Sequence, residues 1–185
     1  MCRHLGYLGP ARSVGDVLTA GTSSLMQQSW APRDMRGGGT VNADGFGAAW
    51  WTDDGVGHYR NPMPIWTDPA VTDALTSVRS TAVVAAIRSA TVGMPVDRSA
   101  CAPFVTGRFA FSHNGVVGGW PHSVAGLAAD VPAADLLRLA APTDAAALWV
   151  LLQHRLDGQE PGEALAGLVR DVDAAAPGSR LNLLL

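Results

Sequence analysis

The order of the apolar runs constrains this chain more than any other feature. Short apolar stretches broken by Gly, Pro and Asp fill the first two-thirds, and longer helical patterns follow. Residues 2–8 read as an opening strand ended by Gly9-Pro10. Ser13 is placed to cap a short helix through Leu18, and residues 23–29 form a second helical piece. Residues 30–39 read as loop, with Pro32, charges and Gly37-Gly38-Gly39. Residues 45–51 form a buried strand, Asp53-Asp54-Gly55 a turn, and residues 56–59 the return strand of a hairpin. Asp68-Pro69, a cap followed by proline, starts a helix to about Arg79. Residues 82–87 are a compact apolar run, expected as a buried strand. Residues 104–105 and 108–113 pair around Thr106-Gly107. Helices are expected over 132–140, from the Thr143 cap through about Leu156, and over 162–175, with a closing strand at 181–185. Strands first and helices second is an α+β pattern in one domain, residues 1–185. The chain stops inside an apolar run, so the natural protein is expected to continue past Leu185 or to carry further strands.

Composition removes several chemistries. All 13 basic residues are arginine, so a phosphate-loop lysine, a Schiff-base lysine and a lysine general base are excluded. Of 16 acidic residues only Glu160 and Glu163 are glutamate, and both sit in a late helix pattern, which disfavours a glutamate zinc protease or paired-glutamate glycosidase. The formal net charge of −3 offers no footprint for nucleic acid. No apolar run has membrane-spanning length, and the N-terminus lacks the apolar stretch of a secretory signal. Cys2 and Cys101 are therefore expected reduced, in the cytoplasm, with a single bridge between them left open.

Four constellations carry chemistry. Removal of Met1, expected because Cys2 is small, would leave a thiol and an α-amine in one residue. Such an amine titrates at about 7.7–8.0 and a thiol at about 8.5, so the amine can take the thiol proton at neutral pH. A thiol with a neighbouring base is an activated nucleophile. Ser112-His113-Asn114-Gly115 follows a strand. Asn-Gly taken alone reads first as a hairpin turn, because both residues tolerate positive φ. Its alternative is an oxyanion hole built from the Asn amide and the Gly N–H. Arg88 follows an apolar strand and needs an anion: either a substrate carboxylate held by a two-pronged pair or an aspartate of the protein. Thr143-Asp144 is a plain helix start or, as function, a seat for a substrate ammonium. Cys2-x-His4 is too sparse for zinc, and no metal-ligand spacing occurs elsewhere.

The order of these pieces is more telling than any one of them. Met1-Cys2-Arg3-His4-Leu5-Gly6-Tyr7-Leu8-Gly9, Asn42-Ala43-Asp44-Gly45-Phe46-Gly47 and Ile87-Arg88-Ser89-Ala90-Thr91-Val92-Gly93-Met94-Pro95 come first. Ala100-Cys101-Ala102-Pro103-Phe104, Phe111-Ser112-His113-Asn114-Gly115-Val116-Val117 and Asp144 follow. Along its whole length the chain resembles the class II glutamine amidotransferases, which are N-terminal-nucleophile hydrolases, and most of all their γ-glutamyl amidohydrolase branch from ergothioneine biosynthesis. The resemblance implies a four-layer αββα sandwich, two antiparallel sheets between helices. It implies Cys2 as nucleophile with its own amine as base, and Asn114 and Gly115 around the oxyanion. Arg88 with Thr91 would hold the glutamyl α-carboxylate, Asp144 the α-ammonium, and His113 would line the same site.

That branch acts on γ-glutamyl-hercynylcysteine sulfoxide, a small molecule, with no metal or organic cofactor. Rival readings are a stand-alone glutaminase feeding a synthase partner, or a binding module on the same fold. The leaving group carries a trimethylammonium, for which Trp50, Trp51, Trp66 and Trp120 are candidate neighbours. No nucleic acid or membrane partner is expected. Family members continue past residue 185, and an edge strand left unpaired there leaves homo-oligomerisation open.

Overall fold

A computed structural model describes residues 2–33 and 41–185. Residues 34–39 of the expected loop, with the glycine triplet, lie outside the described residues. The chain divides into two compact units: one runs to Ser112 and includes Leu184–Leu185, and the other is His113–Leu183.

The first unit is built on a four-stranded antiparallel sheet. Its strands are β1 (Arg3–Ser13), β2 (Phe46–Thr52), β3 (Gly55–Asn61) and β4 (Arg79–Ile87), in the order β1-β4-β2-β3. The central position of β4 explains its composition: Val83 to Ile87 are all buried, as a strand covered on both faces requires. Alternation sorts its side chains. Val83, Ala85 and Ile87 join Phe46, Ala48, Leu5 and Tyr7 on the face covered by the helices α1 (Val14–Thr19), α2 (Leu25–Trp30) and α3 (Ala74–Ser77). Val14, Leu18, Leu25 and Leu75 are their contribution to that core. Ser13 and Ser24 cap α1 and α2 by accepting the Asp16 and Gln27 N–H groups.

The opposite face, which carries His4 and Gly6, meets β5 (Phe104–Thr106), the first half of β6 (Phe109–Val116) and their surroundings. His4 Nδ1 lies 3.2 Å from Ser112 Oγ, Trp51 Nε1 donates to the Arg108 carbonyl, and Gly6 faces Leu184. β5 and β6 are antiparallel, with Phe104 opposite Phe111.

The second unit holds the rest of β6, β7 (Arg180–Leu184, to Leu183) and three helices, α4 (Ala133–Leu136), α5 (Asp144–Leu156) and α6 (Pro161–Ala175). The three-stranded sheet has the order β5-β6-β7. Thr143 caps α5 through the Ala146 N–H, and α5 packs on α6. Two sheets with helices make the chain α+β, as its strand-then-helix order predicts. Among the described residues no helix is long and apolar enough to cross a membrane.

Four expectations are corrected. Gly9-Pro10 does not end β1; the strand continues to Ser13 with a register shift between Leu8 and Arg12. A proline without N–H fits there, because β1 is an edge strand and the ladder is interrupted at that point. The single helix over 68–79 is two short pieces, a 3-10 turn Pro69–Val71 and α3, with Arg79 already in β4. Threonine competes there: Thr76 Oγ1 donates back to the Thr72 and Asp73 carbonyls. The helix over 132–140 shrinks to α4, which buries no residue and so has nothing to extend it. Asn114-Gly115 is no turn: both residues lie inside β6 with negative φ.

Candidate active site

In the first unit the sheet register assembles one end. Arg3 pairs with Ile87, Ile87 with Phe46, and Phe46 with Asn61. Cys2, Arg88 and Gly45 each stand one residue beyond that row, on adjacent strands spaced about 4.8 Å. Cys2 is half-buried and free. The Ser89 N–H points at its sulfur at 3.4 Å, and the thiol lies 3.5 Å from the Ser89 carbonyl.

Arg88 N–H donates to the Gly45 carbonyl at 2.8 Å, and Asp44 N–H to the Arg88 carbonyl at 3.0 Å. The Arg88 guanidinium donates to the Pro95 carbonyl at 2.6 Å, and no described carboxylate lies within ion-pair distance of it. Its charge does reach Asp97, whose carboxyl is held below the usual range first by the Ser99 hydroxyl and in smaller part by Arg88. Thr91 is exposed on the loop that follows, where Met94 N–H closes a turn onto the Thr91 carbonyl.

Beneath this end lies Cys101, fully buried and also free, so the two cysteines form no bridge. Its sulfur faces the carbonyls of Asn61 at 3.5 Å and Asp97 at 3.4 Å. Burial pushes this thiol up to about 11, although the Arg88 and Arg60 guanidiniums pull the other way. Gly45 has φ +121°, and a Cβ there would run into Cys101 Sγ. Only glycine serves at that position.

The second unit gathers the other expected residues. His113 and Asp144 are both buried, with His113 Nε2 3.9 Å from Asp144 Oδ2. Asp144 Oδ2 accepts the Val117 N–H at 3.2 Å and Oδ1 its neighbour Ala145 N–H at 2.8 Å. Among the described residues neither ring nitrogen of His113 has a partner at good hydrogen-bond geometry, although the Asn182 backbone is near enough to favour the charged ring. Burial lowers the His113 pKa below its ordinary 6.5, and the Asp144 charge opposes that shift. The ring is therefore neutral at neutral pH.

Asn114 is half-buried, and its carbonyl accepts the Asn182 side-chain amide at 2.8 Å. A Cβ on Gly115 would overlap the Arg180 carbonyl oxygen, so β6 and β7 approach closely only through a glycine. Cys2, Arg88 and Thr91 thus belong to the first unit, and His113, Asn114, Gly115 and Asp144 to the second.

Of the tryptophans, Trp50 packs on the core and its indole covers Gly57, while Trp51 is tied to Arg108. Trp66 is exposed on the 3-10 turn Ile65–Thr67, and Trp120 is half-buried in the second unit. A surface groove of about 510 Å³ between α5 and α6 is lined by Arg155, Glu163, Arg170 and Asp171 among others, and by none of the expected site residues. Sequence reasoning passed over Asp44 and Ser89 as site residues. The run Asn42-Ala43-Asp44-Gly45 was the available signal for Asp44. Ser89 acts through its backbone, which leaves no residue-type signature.

Residues 19–136 match the model of the glutamine amidotransferases class-II family. The chain belongs to that family, a family of enzymes. Two curated relatives are named gamma-glutamyl-hercynylcysteine sulfoxide hydrolase. The one from Mycolicibacterium smegmatis is 37% identical over all of this chain and 74% of its own length. The one from Mycobacterium tuberculosis is 38% identical over all of this chain and 72% of its own. A solved class-II glutamine aminotransferase domain protein from Silicibacter pomeroyi shares the fold, with a TM-score of 0.65 at 22% identity over 99% of this chain and 71% of its own.

Proposed function

We propose that this chain hydrolyses the γ-glutamyl amide bond of γ-glutamyl-hercynylcysteine sulfoxide, releasing glutamate and hercynylcysteine sulfoxide in ergothioneine biosynthesis. The observation that carries the reading is whole-length identity of 37–38% to relatives of that name. The half-buried Cys2 sulfur under the Ser89 N–H, beside an Arg88 with no described carboxylate within ion-pair distance, supports it.

Removal of Met1 frees the Cys2 α-amine, which takes the thiol proton. The thiolate attacks the γ-carbonyl carbon, and Asn114 and Gly115 stabilise the oxyanion. The C–N bond breaks, the leaving amine takes the proton from the α-ammonium, and a γ-glutamyl thioester remains. Water, deprotonated by the same amine, adds to the thioester; glutamate leaves and the thiol is restored. Arg88 and Thr91 hold the α-carboxylate and Asp144 the α-ammonium, with His113 packed against Asp144. The charges of a γ-glutamyl group, one carboxylate and one ammonium, match those two anchors.

Glutamate release tests the proposal. Purified enzyme is offered free glutamine, glutathione and γ-glutamyl-hercynylcysteine sulfoxide side by side, with Cys2→Ala as the blank. Release dominated by the hercynyl substrate is expected. Release mainly from glutamine would overturn it in favour of an ammonia-supplying glutaminase, and silence on all three would favour a binding module.

A further inference from the structure

The residue that holds the Cys2 corner together is Asp44, which the proposed chemistry leaves unused. Three hydrogen bonds fasten residues 88–90 to residues 44–45. Two are main-chain bonds that extend the β2–β4 ladder past its last pair: Asp44 N–H to the Arg88 carbonyl and Arg88 N–H to the Gly45 carbonyl. The third is the only one made by a side chain: Ala90 N–H donates to Asp44 Oδ2 at 2.7 Å. A bond this short to a carboxylate has the geometry of a charge-assisted pair.

Ser89 lies between those anchors. Its N–H is the group aimed at the Cys2 sulfur and its carbonyl is the group the thiol faces. The main-chain ladder holds the peptide before Ser89, and the Asp44 carboxylate holds the peptide after it. The Ser89 N–H shares a planar peptide with the Arg88 carbonyl, which the Asp44 N–H already holds; the carboxylate fixes the next peptide, and without it the Ser89 carbonyl is free to turn away from the Cys2 thiol.

We propose that Asp44 is a positioning residue for this enzyme: its carboxylate, bonded to the Ala90 N–H, keeps the Ser89 carbonyl on the Cys2 thiol and so fixes where the sulfur points. The inference rests on the reading of Cys2 as nucleophile. It assigns Asp44 no contact with substrate. A misplacement of about 1 Å in a reacting group costs about 10²-fold in rate. That is the expected loss in kcat/KM for Asp44→Ala, carried mostly by kcat. Asp44→Asn keeps an oxygen able to accept the Ala90 N–H and should stay within about threefold of the parent.

Two readouts test this on the full chain. One is kcat and KM for glutamate release from the γ-glutamyl substrate. The other is the rate at which iodoacetamide alkylates Cys2 at neutral pH, located by peptide mass spectrometry, with circular dichroism and the thermal midpoint as controls of folding. The expected result is faster Cys2 alkylation, because the thiol loses its acceptor, and a lower kcat in Asp44→Ala, with both restored in Asp44→Asn. A merely structural Asp44 would lower the thermal midpoint and leave alkylation of the folded protein unchanged, which overturns the proposal. Asn as damaging as Ala would also overturn it, because charge rather than the bond to Ala90 would then carry the effect. Should Asp44→Ala not fold, Asp44→Glu, which displaces the carboxylate by one methylene, replaces it with the same expectations. Alkylation needs no substrate, so it tests Asp44 even where the proposed hydrolysis fails.

Discussion

Cys2 and Cys101 belong to the same compact unit, and each sulfur meets both a backbone N–H and a carbonyl oxygen; what differs is depth. Cys2 stands half-buried at the end of the sheet, where a backbone N–H points at it. Cys101 is fully buried and faces two carbonyl oxygens. A thiolate is stabilised by donors and destabilised by carbonyl oxygens and by loss of water. Half-burial leaves the first sulfur within reach of a substrate. The second surroundings suit a thiol that stays protonated, and burial pushes it up to about 11. Residue type is the same in both; depth makes the difference.

Substitution of the nucleophile is the hardest test of that contrast. Cys2→Ala should lower kcat for glutamate release by more than about 10⁴-fold, as removal of a covalent nucleophile does. Its thermal midpoint should hardly move. Cys101→Ala should keep most of the turnover, and a comparable loss there would break the comparison. Alkylation comes next in size. With its thiol near 11, Cys101 should react with iodoacetamide at neutral pH at least about 100-fold more slowly than an ordinary thiol, which titrates near 8.5. Mass spectrometry of the folded protein should find the adduct on Cys2, and an adduct on Cys101 would contradict its burial.

Gly45 joins the two regions, since its backbone bonds to Arg88 and its missing side chain makes room for Cys101. Gly45→Ala should cost about 3 kcal/mol from positive φ together with overpacking. Urea denaturation measures it. The same change in a Cys101→Ala background should cost about half as much, because the collision with sulfur is gone and the backbone strain remains.

The smallest effect extends the contrast from a buried acid to a buried base. His113 is held neutral by burial, with its folded pKa below 6.5. The unfolded chain then takes up the proton first as pH falls. The stability that goes with a neutral ring is fully present above pH 6.5 and is lost as pH falls from there through the folded pKa. Denaturation midpoints measured across that window should decline, and His113→Gln should flatten the decline.

Much of this was legible from residue order. The capped starts at Ser13 and Thr143, the hairpin around Asp53-Asp54-Gly55 and the buried run of β4 all follow from local rules, and the structure keeps them. What failed was local reasoning at places with a tertiary competitor. Asn114-Gly115 has the residue types of a turn, yet β7 beside it holds the pair extended, with Asn182 on the Asn114 carbonyl and Arg180 against Gly115. Asp68-Pro69 has the residues of a helix start, and Asp68 does cap Ala70. The helix breaks because threonine hydroxyls bond back to the backbone and Arg79 is drawn into the sheet.

The site divides along the same line. Cys2, Arg88, Asn114 and Asp144 could be named as candidates because each carries its chemistry in its side chain, and Gly115 because it follows Asn114. By itself the sequence determined the α+β class, the absence of lysine chemistry and the family to which the chain belongs. Only the tertiary structure decided which cysteine is fully buried and which stands half-buried at the end of the sheet. It also decided that Asp44 grips Ala90 and that Arg88 has no carboxylate within ion-pair distance among the described residues. The reason is physical: these outcomes depend on how distant strands pair and where backbone N–H and C=O groups then point, and every residue carries the same two groups.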